Sequence, residues 1–191
     1  MDTDTHTDTA ELKLLEAAEA LFDERGVQAV GMDAIRTASG VSLKRLYQLF
    51  PSKDHLVWAV LKRRDSAVRE AIAAHGAARA TTPHERVLAV FDYLGDWFAD
   101  PGFRGCAFIN TFGEMGGISP DVADIARGHK RALRQYFAEQ TDALGAPREL
   151  ADQLAILANG AMAVAGISGS AEPATQAKSA AKTLLDAALA P

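Results

Sequence analysis

Only one cysteine, Cys106, occurs in 191 residues, so no internal disulfide can form and the chain suits a reducing compartment. No apolar run approaches the ~20 residues of a membrane helix, so no membrane partner is expected. The first residues, MDTDTHTDT, are acidic and lack an apolar signal core. Secretory export is therefore not expected, and the location is read as cytoplasmic. The five histidines show no metal-ligand spacing, and no glycine-rich phosphate loop follows a strand. Neither a metal nor a cofactor is expected. Period-2 alternation and internal repeats are also missing. What remains is apolar spacing of helical period throughout, which predicts an all-α chain of about nine helices.

Caps and breakers divide that chain. Residues 1–8 are repetitive Thr/Asp and read as a disordered tail. A first helix is expected from Asp8 or Thr9, with Asp8 and Glu11 spaced like a capping box. Leu14, Ala17, Ala18, Leu21 and Phe22 form its stripe and Gly26 its end. Met32, Ala34, Ile35 and Ala38 mark a second helix that Gly40 stops. Ser42 then caps a third over Leu43–Phe50, with Leu46, Leu49 and Phe50 inward. That arrangement leaves Lys44, Arg45, Tyr47 and Gln48 to a partner, and Pro51 prevents continuation. Two short helices joined by a tight turn, the second carrying cationic and amide groups, make a helix-turn-helix.

Beyond it, Ser52 caps a long helix running through Leu56, Val57, Val60 and Leu61 to Ile72 or further, and residues 76–82 read as a loop. Thr82 and Pro83 open a helix to about Ala99. The segment FRGCAFINTFGEMGG reads as a short, buried, imperfect helix. Ser119 and Pro120 start another, to about Leu144. Two more are expected over Pro147–Ile167 and Thr175–Ala188, separated by a loop over 166–173.

Charge is unevenly spread. From Arg36 to Arg64 seven cations and one anion give +6, so the rest of the chain carries −11 of the net −5. A basic segment on an acidic body suits a DNA-binding module attached to a separate effector module. Lys62, Arg63 and Arg64 are either part of that footprint or a solvated helix face. Lys53, at a helix N-terminus, is electrostatically misplaced, and an external anion such as a phosphate would remove that penalty.

The pattern Leu14, Ala17-Ala18, Leu21-Phe22, Gly26, Ile35, Gly40-Val41-Ser42, Leu46-Tyr47, Phe50-Pro51-Ser52-Lys53, Leu56 resembles the N-terminal signature of the TetR family of transcriptional regulators. The resemblance covers about the first third of the chain. It implies a homodimer that grips a near-palindromic double-stranded operator and releases it when a small molecule enters the C-terminal domain. The expected domains are then the tail 1–8, a helix-turn-helix domain 9–52 and a ligand-binding and dimerisation domain 53–191. Tyr47 and Lys53 fall where the family places phosphate contacts, and Leu43, Lys44, Arg45 and Gln48 near its groove-reading face. With Ser42 these make up the expected DNA-binding set. Two positions depart from the family: Gly31 replaces a Thr or Ser cap, and Arg36 replaces a small residue, so its side chain must snorkel outward. Arg45 stands where many members have Thr, and could read guanine or hold a phosphate. The segment RGCAFIN with His129-Lys130 resembles a subset of the family.

For the effector, expected to be largely apolar, the candidate lining is Phe91, Leu94, Phe98, Cys106 and Ile109, with Asn110, Met115, Phe137 and Met162. Asn110 and Glu114 are polar groups in an apolar segment and need partners, from a ligand, backbone or water. Cys106 is either a redox-sensitive thiol beside Arg104 or a buried inert one. The small residues of Ala155–Gly166, with the last helix, are the expected dimer interface. A second class of function, an all-α carrier or enzyme using the C-terminal pocket, would leave the basic segment incidental. An activator on the same scaffold is a variant of the first.

Overall fold

In the computed structural model the described residues are 3–190, with side chains described from Thr9 onward. Among them there are nine helices and no strand. They form two compact units. One comprises the chain up to Asp65 with Ala107–Ala126, the other Ser66–Cys106 with the chain from Arg127. The tail expected at residues 1–8 lies outside the residues with described side chains, as does the Asp8 cap. Helix α1 is assigned over Thr3–Arg25, earlier than the cap spacing predicts.

The first unit holds α1, α2 (Met32–Ser39), α3 (Leu43–Leu49), the start of α4 (Lys53–Arg79), α6 (Ala107–Met115) and the start of α7 (Pro120–Ala143). Helix α1 packs on both α2 and α3, which also touch each other. Leu14, Ala18, Phe22, Ile35, Leu46 and Phe50 are buried at this junction. Each large apolar side chain so buried contributes roughly 1.5–3 kcal/mol before ordering costs. Gly40 ends α2 with φ +67, the left-handed turn an L side chain resists, and Ser42 then accepts the Arg45 N–H at 3.3 Å to cap α3. Gly31 precedes α2 without any side-chain cap, as its composition requires. Ala38, expected inward, is exposed, because a two-turn helix brings only Ile35 fully to the core. Leu56, Val57, Val60 and Leu61 are buried too, so the first turns of α4 belong to this unit rather than beginning a new one after residue 52.

The second unit holds the rest of α4 and α7 with α5 (Pro83–Phe98), α8 (Glu149–Ser168) and α9 (Glu172–Ala188). Helix α5 packs on α8 and α9, which pack on each other. Its start is a full capping box. The Thr82 hydroxyl accepts the Glu85 N–H, and the Glu85 carboxylate accepts N–H groups of Thr82 and Thr81. Two expected loops are shorter than predicted, with helix extending through 76–79 and 166–168 and connections left at 80–82 and 169–171. Gly76 lies inside α4, where a Cβ would sit 2.7 Å from the Tyr136 hydroxyl. Gly166 lies inside α8, where a Cβ would sit 2.8 Å from Gly105 Cα; the helix ends at Gly169, φ +65. Both glycines serve close approach rather than helix termination.

Helix α8 is long and apolar enough, by length and composition, to cross a membrane, which the sequence reading did not expect. Within the stretch expected as an interface, Ala155–Gly166, the residues Ala155, Ala158, Ala161 and Ala165 are buried within this chain. Its open face carries Ile156, Gly160, Val164 and Ile167, and Ile167 is 89 % exposed.

Candidate nucleic-acid interface and cavity

On α3 the sequence alternates anchors with projecting groups. Leu46 is fully buried and the following Phe50 is buried, with the Phe50 N–H closing on the Leu46 carbonyl at 2.8 Å. The opposite face then carries Leu43 and Tyr47, 45 % and 46 % exposed, with Lys44 and Gln48 also exposed. Arg45 is half-buried and reaches the Gln48 side-chain oxygen at 3.5 Å. Ser42 is occupied in capping, so its hydroxyl is already an acceptor here. An exposed leucine and tyrosine between polar groups leave a surface that the first unit itself does not cover.

Lys53 stands at the start of α4, and its ammonium donates to the Gln28 carbonyl at 3.4 Å. Burial lowers its pKa from the usual lysine value, with the charges of Glu114 and Asp54 opposing that shift. The expected candidates Ser42, Leu43, Lys44, Arg45, Tyr47 and Gln48 thus share one short helix and its cap, and Lys53 belongs to the same unit.

The other cations of this segment are engaged internally. Arg36 does turn outward, but to Asp33, 2.8 Å away. Lys62 lies 4.8 Å above the Trp58 ring, and Arg63 is 3.8 Å from Glu16. Arg64 donates to both Asp23 oxygens, at 2.8 and 2.5 Å, and to Glu19 at 2.8 Å. Burial alone would lower the Arg64 pKa, but hydrogen bonds and charge from Asp23 and Glu19 raise it above the ordinary value. Of the triplet 62–64, Lys62 and Arg63 remain exposed on the helix face with weak partners, and only Arg64 is held within the unit.

Glu114 finds backbone partners. Its carboxylate accepts the N–H groups of Val27 at 3.1 Å and Gln28 at 2.7 Å. No property of a single helix predicts this, because the partners lie 87 and 86 residues away.

In the second unit a cavity of about 260 Å³ opens among α4, α7 and α8. Val68, Ile72, His129, Ala132, Leu133, Tyr136 and Met162 form its wall, with Arg69, Gln135 and Glu139 exposed at the rim. Burial raises the Tyr136 pKa, a shift that Arg86 opposes and Glu139 reinforces. Of the residues predicted to touch a ligand, Met162 lines this cavity. Phe91 and Phe137 stack on each other at 6.0 Å, and Leu94 and Phe98 are buried with them in this unit. Cys106 is buried outside the lining and accepts a hydrogen bond from the Lys130 ammonium at 3.3 Å. Ile109, Asn110 and Met115 belong to α6, in the first unit. The sequence reading missed the α7 wall, although His129, Ala132, Leu133 and Tyr136 carry the i, i+3, i+4, i+7 spacing of one helix face. Large aromatic residues drew the prediction, and these mostly pack.

Comparison with known proteins agrees with these elements. The model of the bacterial regulatory proteins of the tetR family matches residues 14–60, which span α1 through the start of α4. The HTH-type transcriptional activator FasR of Mycolicibacterium smegmatis is 41 % identical over 91 residues. That match covers 43 % of this chain and 39 % of FasR, so the chain spans well under two thirds of that relative's length. A TetR transcriptional regulator from Streptomyces avermitilis is 35 % identical with a TM-score of 0.81, covering 94 % of this chain and 97 % of that one. A TetR-family regulator from Streptomyces coelicolor superposes with a TM-score of 0.88 at 26 % identity, covering 96 % and 97 %. With its signature on α1–α4 and its likeness to these regulators along nearly its whole length, the chain belongs to the TetR family of transcriptional regulators.

Proposed function

We propose that this protein is a ligand-responsive repressor that binds a near-palindromic operator as a homodimer and is released by a small molecule. The observation that carries this reading is the outer face of α3, where Leu43, Lys44, Tyr47 and Gln48 stand exposed on a helix anchored by Leu46. A helix so held enters the major groove, with Tyr47 and Lys53 on phosphates and Arg45 on a base edge or a phosphate. The open apolar face of α8 supports dimerisation, since Ile156, Val164 and Ile167 lose water only against a second surface. Two-fold pairing would set the recognition helices one DNA turn apart, about 34–36 Å in the simplest case. The cavity among α4, α7 and α8 is the effector site in this reading, its apolar wall matched to a largely apolar compound and its rim to a polar end. Such a compound acts by preferring a state that fits DNA less well. The reading places the protein in the cytoplasm, with its operator.

An activator is the second reading, and the match to FasR, itself named an activator, favours it. Titration against the promoter duplex upstream of the gene tests DNA binding for both. The expected result is steeply salt-dependent affinity at two chains per site, falling about tenfold in Tyr47→Ala and in Lys53→Ala. Affinity indifferent to salt would exclude either form. Transcription from the same promoter, with and without the protein, separates repressor from activator.

A further inference from the structure

Two charges in the first unit stand at helix ends that disfavour them. Glu114 lies in the last turn of α6, against the partial negative charge of its own C-terminus. It also meets the C-terminal turn of α1, where a Cβ on Gly26 (φ +80) would be 3.1 Å from its carboxylate. Lys53 stands at the N-terminus of α4, where the dipole is positive. Gln28 joins them. Its N–H donates to the Glu114 carboxylate at 2.7 Å, its side-chain amide to the Glu114 carbonyl at 2.6 Å, and its own carbonyl accepts the Lys53 ammonium at 3.4 Å. The Val27 N–H completes the grip on the carboxylate at 3.1 Å. Opposite charge therefore offsets two misplaced groups, and does so through a turn that includes no residue of the recognition helix.

We infer that Glu114 is a positioning residue for DNA binding: by fixing the 27–28 turn it presents Lys53 to an operator phosphate, so that α6 controls a phosphate contact it does not itself make. The inference rests on the DNA-binding reading above. Its force lies in the sign of the expected effect. Glu114 is an anion in a unit that binds a polyanion, so simple Coulomb attraction requires its removal to strengthen binding. A positioning role requires the opposite. The long Lys53 contact to Gln28 is one that a phosphate can replace, since a charged oxygen is a stronger acceptor than a neutral carbonyl.

The test uses the full chain and a random-sequence duplex, to which binding is almost wholly phosphate contact. Wild type, Lys53→Ala, Glu114→Ala and the double variant are titrated over a range of salt. Each single variant is expected to bind more weakly, with the salt slope shallower by about one. The double variant is expected to lose no more than either alone, the signature of a shared contact. Glu114→Ala binding as tightly as wild type or tighter, an unchanged slope, or additive losses overturns the inference while leaving the DNA-binding reading intact. Wild type that does not bind the duplex at all overturns that reading and the inference with it. Should Glu114→Ala not fold, Gln28→Ala takes its place. It removes the amide hook and keeps both N–H donors, and an unchanged slope in that variant is equally decisive.

Discussion

Lys44 and Arg45 sit on α3 beside Leu43 and Tyr47, side chains that the first unit leaves nearly half exposed, whereas Lys62, Arg63 and Arg64 on α4 each meet a ring or a carboxylate of that same unit. The two groups carry similar charge and lie within twenty residues of each other. They differ in what a phosphate would have to displace. At Lys44 it would displace water, since that side chain makes no ion pair among the described residues. At Arg64 it would displace two carboxylates already matched to the guanidinium fork, whose side chain is only 19 % exposed. Counted in sequence, the basic segment is one footprint. Counted by partners, the α4 run already has contacts within the unit, and the proposed interface narrows to α3 and Lys53.

Removing Arg64 breaks that comparison most severely. Arg64→Ala removes the shared cation from the half-buried Glu19 and Asp23 and is expected to cost about 2 kcal/mol of stability. This is below the cost for a fully buried pair, because both carboxylates keep some water. Thermal or denaturant unfolding measures it, and the salt slope of duplex binding should stay at the wild-type value. A normal midpoint with a shallower slope would move Arg64 from scaffold to interface. Lys62→Ala and Arg63→Ala sharpen the same contrast from the weak side. One loses an exposed cation–π contact and the other a long surface pair, each about 0.5 kcal/mol or less, again with no change of slope. A slope lowered by about one in either variant would return the triplet to the DNA footprint.

How much of this was legible follows from the range of the interactions involved. Gly40, Ser42, Thr82 and Pro83 act on backbone groups within four residues, so caps and helix starts could be read directly. Gly76 and Gly166 misled for the same reason. A glycine that ends a helix and one that admits a distant hydroxyl or backbone look identical in sequence, and only Tyr136 and Gly105 distinguish them. The partners of Arg64, 41 and 45 residues away, and of Glu114, more than 80 away, are fixed by packing alone. The set proposed to face DNA lies mostly on one local helix, so its exposure could be read from spacing. The cavity needs three helices together, and its α7 wall was passed over for aromatic residues such as Phe91 and Phe137, which pack on each other.

The contrast between engaged and open charge extends to the second unit in a milder form. Glu85 is exposed, yet hydrogen bonds from the Thr81 N–H and hydroxyl and then the Thr82 N–H hold its carboxyl down to about 2, against an ordinary value of 4.5. A carboxyl whose pKa is lowered by folding stabilises the ionised form. Its contribution is therefore complete above about pH 4.5 and is lost as the pH falls toward 2. Glu85→Gln keeps the side-chain length but not the charge. The wild type should thus melt slightly higher than the variant at neutral pH, and the gap should close as acid protonates Glu85. Paired melting curves across that range measure it, and a gap independent of pH would mean that the capping box on α5 works through shape rather than charge.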